Sequence, residues 1–234
     1  MLSNESNEKQ PSLISDGMVK SFSRRKFFGI MGAGTALMVT ATSCKKDNHN
    51  NNNGGVDLGS GDPGILNYAY ALEQLEAAFY TQVIATPYSK ISEAEKSYLT
   101  DVRDHEIAHR EFFKAALGSK AIKSLEVNFS AIDFSSRTSV LGTAKAFEDL
   151  GVTAYNGAGK LITNPDYLTL AGKIVSVEAR HAALIRDLIT PGSFADMTAV
   201  DSNGLDMART PNEVLSIAGA FLKTKLNASN LPTS

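Results

Sequence analysis

Glu106-Ile107-Ala108-His109 and Glu178-Ala179-Arg180-His181 are the two stretches that decide how this chain folds. Each is a Glu-x-x-His pair with a partner glutamate upstream at nearly the same distance. Glu73 lies 33 residues before Glu106, and Glu148 lies 30 before Glu178. With 12 Glu and 4 His in 234 residues, chance predicts about 0.2 such pairs. Two are present. On a helix, residues i and i+3 share a face, so each pair points a carboxylate and an imidazole the same way. Four helices contributing Glu, Glu-x-x-His, Glu and Glu-x-x-His to a common axis form the ligand set of a dinuclear carboxylate site in a four-helix bundle.

The flanking residues read as a repeat. Ala71-Leu72-Glu73-Gln74-Leu75, with Tyr80 seven residues past the Glu, lines up with Ala146-Phe147-Glu148-Asp149-Leu150, with Tyr155 seven past. Two helical hairpins of one design place their ligands around a pseudo-two-fold axis. In this alignment Glu73 matches Glu148, whereas Glu76 matches Gly151. Glu73 is therefore the expected helix-1 ligand, with Glu76 one turn along the same face as an additional or exchangeable one.

The proposed ligands fall on core stripes. Leu99, Val102 and Phe113 share the face of Glu106, and Ala171, Ile174, Ala182 and Ile185 share that of Glu178. A single Glu on an amphipathic helix is ordinarily a surface residue. Four on inward faces repel and lose hydration, at several kcal/mol each unless compensated. Two divalent cations cancel four carboxylates, and two imidazoles complete the coordination without adding charge. His105 adjoins Glu106 but points about 100° away, which predicts a surface position or an outer contact to a ligand.

Helix start signals predict an all-α architecture. Asp62-Pro63 supplies an N-cap and a first-turn proline for helix 1, which runs to about Ala85. Ser92-x-x-Glu95 is a capping box for helix 2, running to about Gly118. Helix 3 extends from near Ser136 to about Ile162, and Asn164-Pro165 opens helix 4, which stops before Pro191. Thr210-Pro211-x-Glu213 opens a shorter fifth helix to about Leu226. Short links make helices 1 and 2, and helices 3 and 4, antiparallel hairpins. Some 18 residues, Ser119 to Ser136, lie between helices 2 and 3. That long crossover carries Phe129, Ile132 and Phe134 as apolar anchors.

Ahead of this domain, Ser23-Arg24-Arg25-Lys26-Phe27-Phe28 resembles a twin-arginine export motif, with Arg24 and Arg25 as its core. An uncharged stretch of 18 residues, Phe27 to Cys44, follows. It approaches membrane-spanning length, but three Gly, several Thr and a Ser weaken it, and Lys45-Lys46 come at once. Ala41-Thr42-Ser43-Cys44 looks like a lipobox, with Ala41 where Leu is commonest, and makes Cys44 the expected site of lipidation and cleavage. Residues 45–61, rich in Asn and Gly, read as a flexible tether, with His49 a linker residue. The expected division is thus signal peptide 1–44, tether 45–61 and helical domain 62–234. The expected location is the periplasm or cell envelope, held to a membrane through Cys44. A net charge of −2 and 43% hydrophobic residues give no nucleic-acid surface. A single Cys excludes an intrachain disulfide, a zinc-thiolate site and an iron–sulfur cluster.

From Ile65 to about Leu226 the chain resembles the ferritin-like domain family that includes bacterial desiccation-related proteins. The resemblance rests on Leu66-Asn67-Tyr68-Ala69-Tyr70-Ala71-Leu72-Glu73 through Glu76-Ala77-Ala78-Phe79-Tyr80, and on His105-Glu106 to Phe113. It continues with Ala146-Phe147-Glu148-Asp149-Leu150-Gly151-Val152 to Tyr155-Asn156-Gly157-Ala158, and with Val177-Glu178-Ala179-Arg180-His181-Ala182-Ala183. It implies a ferritin-like four-helix bundle with a long crossover and a short fifth helix. It also implies Glu106 and Glu178 bridging two metals, with Glu73, Glu148, His109 and His181 as terminal ligands. Carboxylate and imidazole donors suit iron or manganese. The expected activity is that of a di-iron oxidoreductase, ferroxidase-like or peroxide-reducing, using O2 or H2O2 and an electron donor the sequence does not name. Tyr80 and Tyr155 are placed to donate an electron or hydrogen-bond a ligand, or equally to serve as core aromatics. A dimanganese catalase-like enzyme and a non-enzymatic metal-binding stress or surface module are the alternatives, and a homodimer is compatible with the fold.

Overall fold

The computed structural model describes residues 54–233, so Arg24, Arg25, Cys44 and His49 lie outside the described residues. Four long helices carry the fold: α1 (Gly61–Ala85), α2 (Glu93–Leu117), α3 (Arg137–Gly159) and α4 (Pro165–Ile189). A short α5 (Pro211–Ala218) follows, and a minimal parallel pair joins β1 (Val56–Asp57) to β2 (Leu226–Asn227). The 25-residue helices α1, α2 and α4 each span about 37 Å, long enough to hold a site at mid-height. α1 packs along α2, and α3 along α4, with α1 and α3 in contact between the hairpins. No helix among the described residues is long and apolar enough to cross a membrane.

The helix starts follow their local signals. Ser92, Ser136 and Asn164 each accept a hydrogen bond from a first-turn amide, and Thr210 forms a reciprocal capping box with Glu213. Glu95 departs from expectation: its side chain turns from its own helix end to Arg137, whose Nε and Nη2 both donate to Glu95 Oε1. Asp62 departs further. Helix α1 begins two residues earlier, at Gly61, after a Ser60 whose side chain makes no capping hydrogen bond. The Asp62 carboxylate instead accepts the amides of Thr163 and Asn164 and the Thr163 hydroxyl, tying the start of α1 to the turn between α3 and α4.

α1 is the central helix, buried on nearly every side from Gly64 to Val83. The crossover covers its outer face: Asn67 donates to the carbonyls of Leu58 and Lys120 and accepts the Ile122 amide, while Gln74 accepts the Leu125 amide. Phe79 packs against Phe129 and Phe134 of the crossover and edge-on against Phe147 of α3. The expected anchors thus meet one aromatic cluster. The fifth helix is shorter than its start signal suggested. It ends at Ala218 because the chain beyond is drawn into other pairings, Leu222 with Val127 of the crossover and Leu226 with Val56. The same pairing orders the end of the stretch read as tether: Leu58 is fully buried, and the packed domain reaches back to Val56.

Between α4 and α5, residues 190–210 form a strap laid over α3. It approaches so closely that a Cβ on Gly157 would stand 1.7 Å from the Arg209 carbonyl oxygen, while the Arg209 amide donates to the Thr153 carbonyl. Gly157→Ala should therefore lower stability by about 1–3 kcal/mol through forced backbone displacement. Gly142→Ala, in the same helix with no atom within 4 Å of the new methyl, should be neutral or stabilising by up to about 1 kcal/mol. Thermal melts of the two variants check this, and equal melting temperatures would contradict the close approach.

Candidate metal centre

The two Glu-x-x-His pairs face each other across the middle of the bundle. Glu106 and His109 come from α2, Glu178 and His181 from α4, Glu73 from α1 and Glu148 from α3. All four glutamates are completely buried, and His181 is 4% exposed. Their donor atoms fall into two groups, each within 4.8 Å: Glu73, Glu106, His109 and Glu178 in one, Glu106, Glu148, Glu178 and His181 in the other. Glu106 and Glu178 belong to both.

The groups are related by the pseudo-two-fold expected from the repeat. His109 Nδ1 lies 2.8 Å from Glu178 Oε1, 3.5 Å from Glu73 Oε2 and 3.7 Å from Glu106 Oε2. His181 Nδ1 lies 2.8 Å from Glu106 Oε1, 3.5 Å from Glu148 Oε2 and 3.6 Å from Glu178 Oε2. These approaches are close but lack hydrogen-bond alignment. Both Nδ1 atoms, both oxygens of Glu106 and of Glu178, Glu73 Oε2 and Glu148 Oε2 are buried without a hydrogen-bond partner. Orphaned buried polar atoms are rare because each costs its full desolvation. Here they are gathered in two adjoining sets of oxygen and nitrogen donors, the donor chemistry that suits hard and borderline divalent metals. The residues present fit a dinuclear centre.

The remaining oxygens of the outer glutamates are held by tyrosines exchanged between hairpins. Tyr80 of α1 donates to Glu148 Oε1 on α3 at 2.5 Å, and Tyr155 of α3 donates to Glu73 Oε1 on α1. The repeat is thus reciprocal, each Tyr serving the other hairpin's glutamate. Burial and the adjacent carboxylates push both phenols well above their ordinary range, so both remain protonated donors.

Glu76 belongs to neither donor group. It is buried, one turn along α1, with Oε1 at 3.1 Å from where a Gly151 Cβ would stand. The position that breaks the repeat is therefore the one that makes room for the unmatched carboxylate. His105 fares differently from a plain surface residue. Though exposed, it stacks on His181 with ring planes 8° apart and brings Nδ1 to 2.9 Å from His181 Nε2. That contact fixes the outer nitrogen of a ring whose Nδ1 faces the donor cluster. No i, i+3 pattern on α2 signals it, because the partner lies on another helix.

Sequence reasoning also missed Arg186. Its guanidinium is 2% exposed and makes a bidentate pair with Asp149, the residue after Glu148, and a further contact to Asp196 of the strap. It clamps α3 to α4 beside the cluster and anchors the strap there.

Among the protein groups alone, electrostatics is dominated by burial. Desolvation raises Glu73 and Glu76 well above the usual carboxylate range and lifts Glu148 to about 8. Desolvation acts on Glu106 too but is outweighed by the two imidazoles, which hold it down at about 2. Burial lowers both His109 and His181, yet the surrounding carboxylates carry each up to about 12. The signs set a pH dependence. From the ordinary Glu value of 4.5 up to about 8, the folded chelated protein holds more protons than the unfolded chain, so stability falls as pH rises. The imidazoles act in the same sense above their ordinary 6.5. Metal reverses this, because bound ligands must be deprotonated. Melting of chelated protein should drop from about pH 5 to about pH 8, each extra bound proton contributing about 1.4 kcal/mol per pH unit, whereas metal-loaded protein should hold or gain stability. A chelated protein that gains stability across this window would contradict the assignment.

No curated protein aligns significantly with the chain. Residues 61–191 match the family model described as ferritin-like domain, which spans α1 through α4 and every residue of the cluster. With more than half its length matched and its carboxylate–histidine groups housed in the matched helices, the chain belongs to the ferritin-like domain family.

Proposed function

We propose that the protein is a di-iron oxidoreductase, ferroxidase-like or peroxide-reducing, and that the sharing of Glu106 and Glu178 between two complete donor groups carries this reading. Four carboxylates offset the charge of two divalent ions and two neutral imidazoles complete the set, leaving Glu76 as a buried acid kept neutral by desolvation. In this assignment Glu106 and Glu178 would be held in common by the two ions, Glu73 with His109 would complete one site, and Glu148 with His181 would complete the other. Bound iron supplies two electrons per turnover, which with two protons convert O2 to H2O2 or H2O2 to two waters. The chain's own residues orient and exclude: Tyr155 and Tyr80 fix the outer glutamates, His105 fixes the His181 ring, and burial of the four glutamates and His181, with His109 half-buried at the edge, limits bulk water at the cluster. The same reading takes the protein to be exported through the Arg24–Arg25 motif and held at a membrane by lipid on Cys44, so that metal loaded in the cytoplasm before folded export reaches the envelope with it.

The test is elemental analysis and metal titration of protein from its own host. Wild type should hold about two iron atoms per chain. Glu106→Ala and Glu178→Ala should each abolish the pair, and His109→Ala or His181→Ala should weaken one ion more than the other. Glu73→Ala should reduce binding more than Glu76→Ala. Wild type without metal, or full stoichiometry in the Glu106 and Glu178 variants, would overturn the reading, and manganese in place of iron would redirect it to a catalase-like centre.

A further inference from the structure

A cavity of about 30 Å3 lies between the four long helices to one side of the cluster. Its inner wall includes Leu72, which precedes Glu73, and the ring of Tyr155, whose hydroxyl is committed to Glu73. Leu72 is 4% exposed. Farther out, Ala116 of α2 and Ala171 of α4 line it and are only half-buried. No carboxylate, amide or cationic side chain lines the cavity. Its size is that of one or two water-sized molecules, since a single water requires about 10–15 Å3 in the same measure and two to four polar partners.

Those properties select among occupants. An apolar cavity with so few polar partners excludes water and hydrogen peroxide, which forfeit hydrogen bonds on leaving solvent. The one uncommitted buried hydroxyl on the lining, that of Tyr68, cannot replace a peroxide's hydration. A diatomic apolar gas loses nothing by leaving water and fits the space. We propose that this cavity is the access route and holding site for molecular oxygen, delivering it past Tyr155 to the Glu73 side of the centre. The inference rests on the di-metal reading and narrows it: the oxidant that uses this route is O2, not peroxide.

Two measurements test it. Crystals of wild-type protein pressurised with xenon, an apolar probe of similar size, should show xenon in the cavity whether or not metal is bound. Rapid mixing of iron(II)-loaded protein with each oxidant should then separate the routes. Ala116→Leu combined with Ala171→Leu narrows the outer cavity without touching a ligand, and should slow oxidation by O2 at least about tenfold by restricting access. Oxidation by H2O2 and iron stoichiometry should be unchanged. The single variants give the same readout if the double variant folds poorly. Two irons per chain with no xenon in the cavity, or with both oxidants or neither slowed, would overturn the oxygen route alone. Wild type that takes up no iron would sink the di-metal reading and the route with it.

Discussion

Burying four carboxylates at one level of a helical bundle is the constraint on which the rest of this structure depends. Each loses its hydration, at several kcal/mol, and each repels the others in a medium that screens poorly. Such a cluster persists only if positive charge is brought to it. The chain supplies two imidazoles from the same helix faces, and the unaligned, unpartnered donor atoms form two groups that could hold metal cations. The dependence runs outward from there. The glutamates need helices whose inward stripes coincide at mid-height, which demands four long helices and an antiparallel pairing within each hairpin.

The surrounding framework prevents the strained centre from relaxing. Tyr80 and Tyr155 cross between hairpins, so neither outer glutamate can swing without breaking a bond to the opposite half. Arg186 pairs with Asp149 immediately beside Glu148 and ties α3 to α4. Asn67 and Gln74 fasten the crossover to α1, which lets a helix buried on almost every side keep polar side chains in its core. The strap meets α3 at Gly157, where only a hydrogen atom fits. Glu76 and Gly151 mark a break in the pseudo-symmetry: a bulkier residue at 151 would occupy the space of the carboxylate.

Much of this was legible in the sequence because its signals are local. The i, i+3 spacing of Glu106 with His109 and Glu178 with His181 sets helix face and chemistry together, and the repeat ranks Glu73 above Glu76; the structure places Glu73 inside a donor group and Glu76 outside both. Ser92, Ser136, Asn164 and Thr210 announced helix starts because an N-cap acts within its own first turn. What escaped depends on residues far apart in the chain. Asp62 reads as an N-cap but serves Thr163 and Asn164, about a hundred residues on. The fifth helix stops early because Leu222 and Leu226 are claimed by the crossover and by β1. Arg186 finds Asp149 and the strap, contacts no periodicity encodes, and His105, expected at the surface or in outer contact with a ligand, meets His181, a partner on another helix that its own helix does not name.

The central claim is that Glu106 and Glu178 are shared between two ions. Anomalous diffraction at the iron edge from crystals of iron-loaded protein addresses it directly. The account predicts two peaks about 3.5–4 Å apart, one beside Glu73 and His109, the other beside Glu148 and His181, with Glu106 and Glu178 between them. A single peak, or peaks away from these two carboxylates, would contradict it.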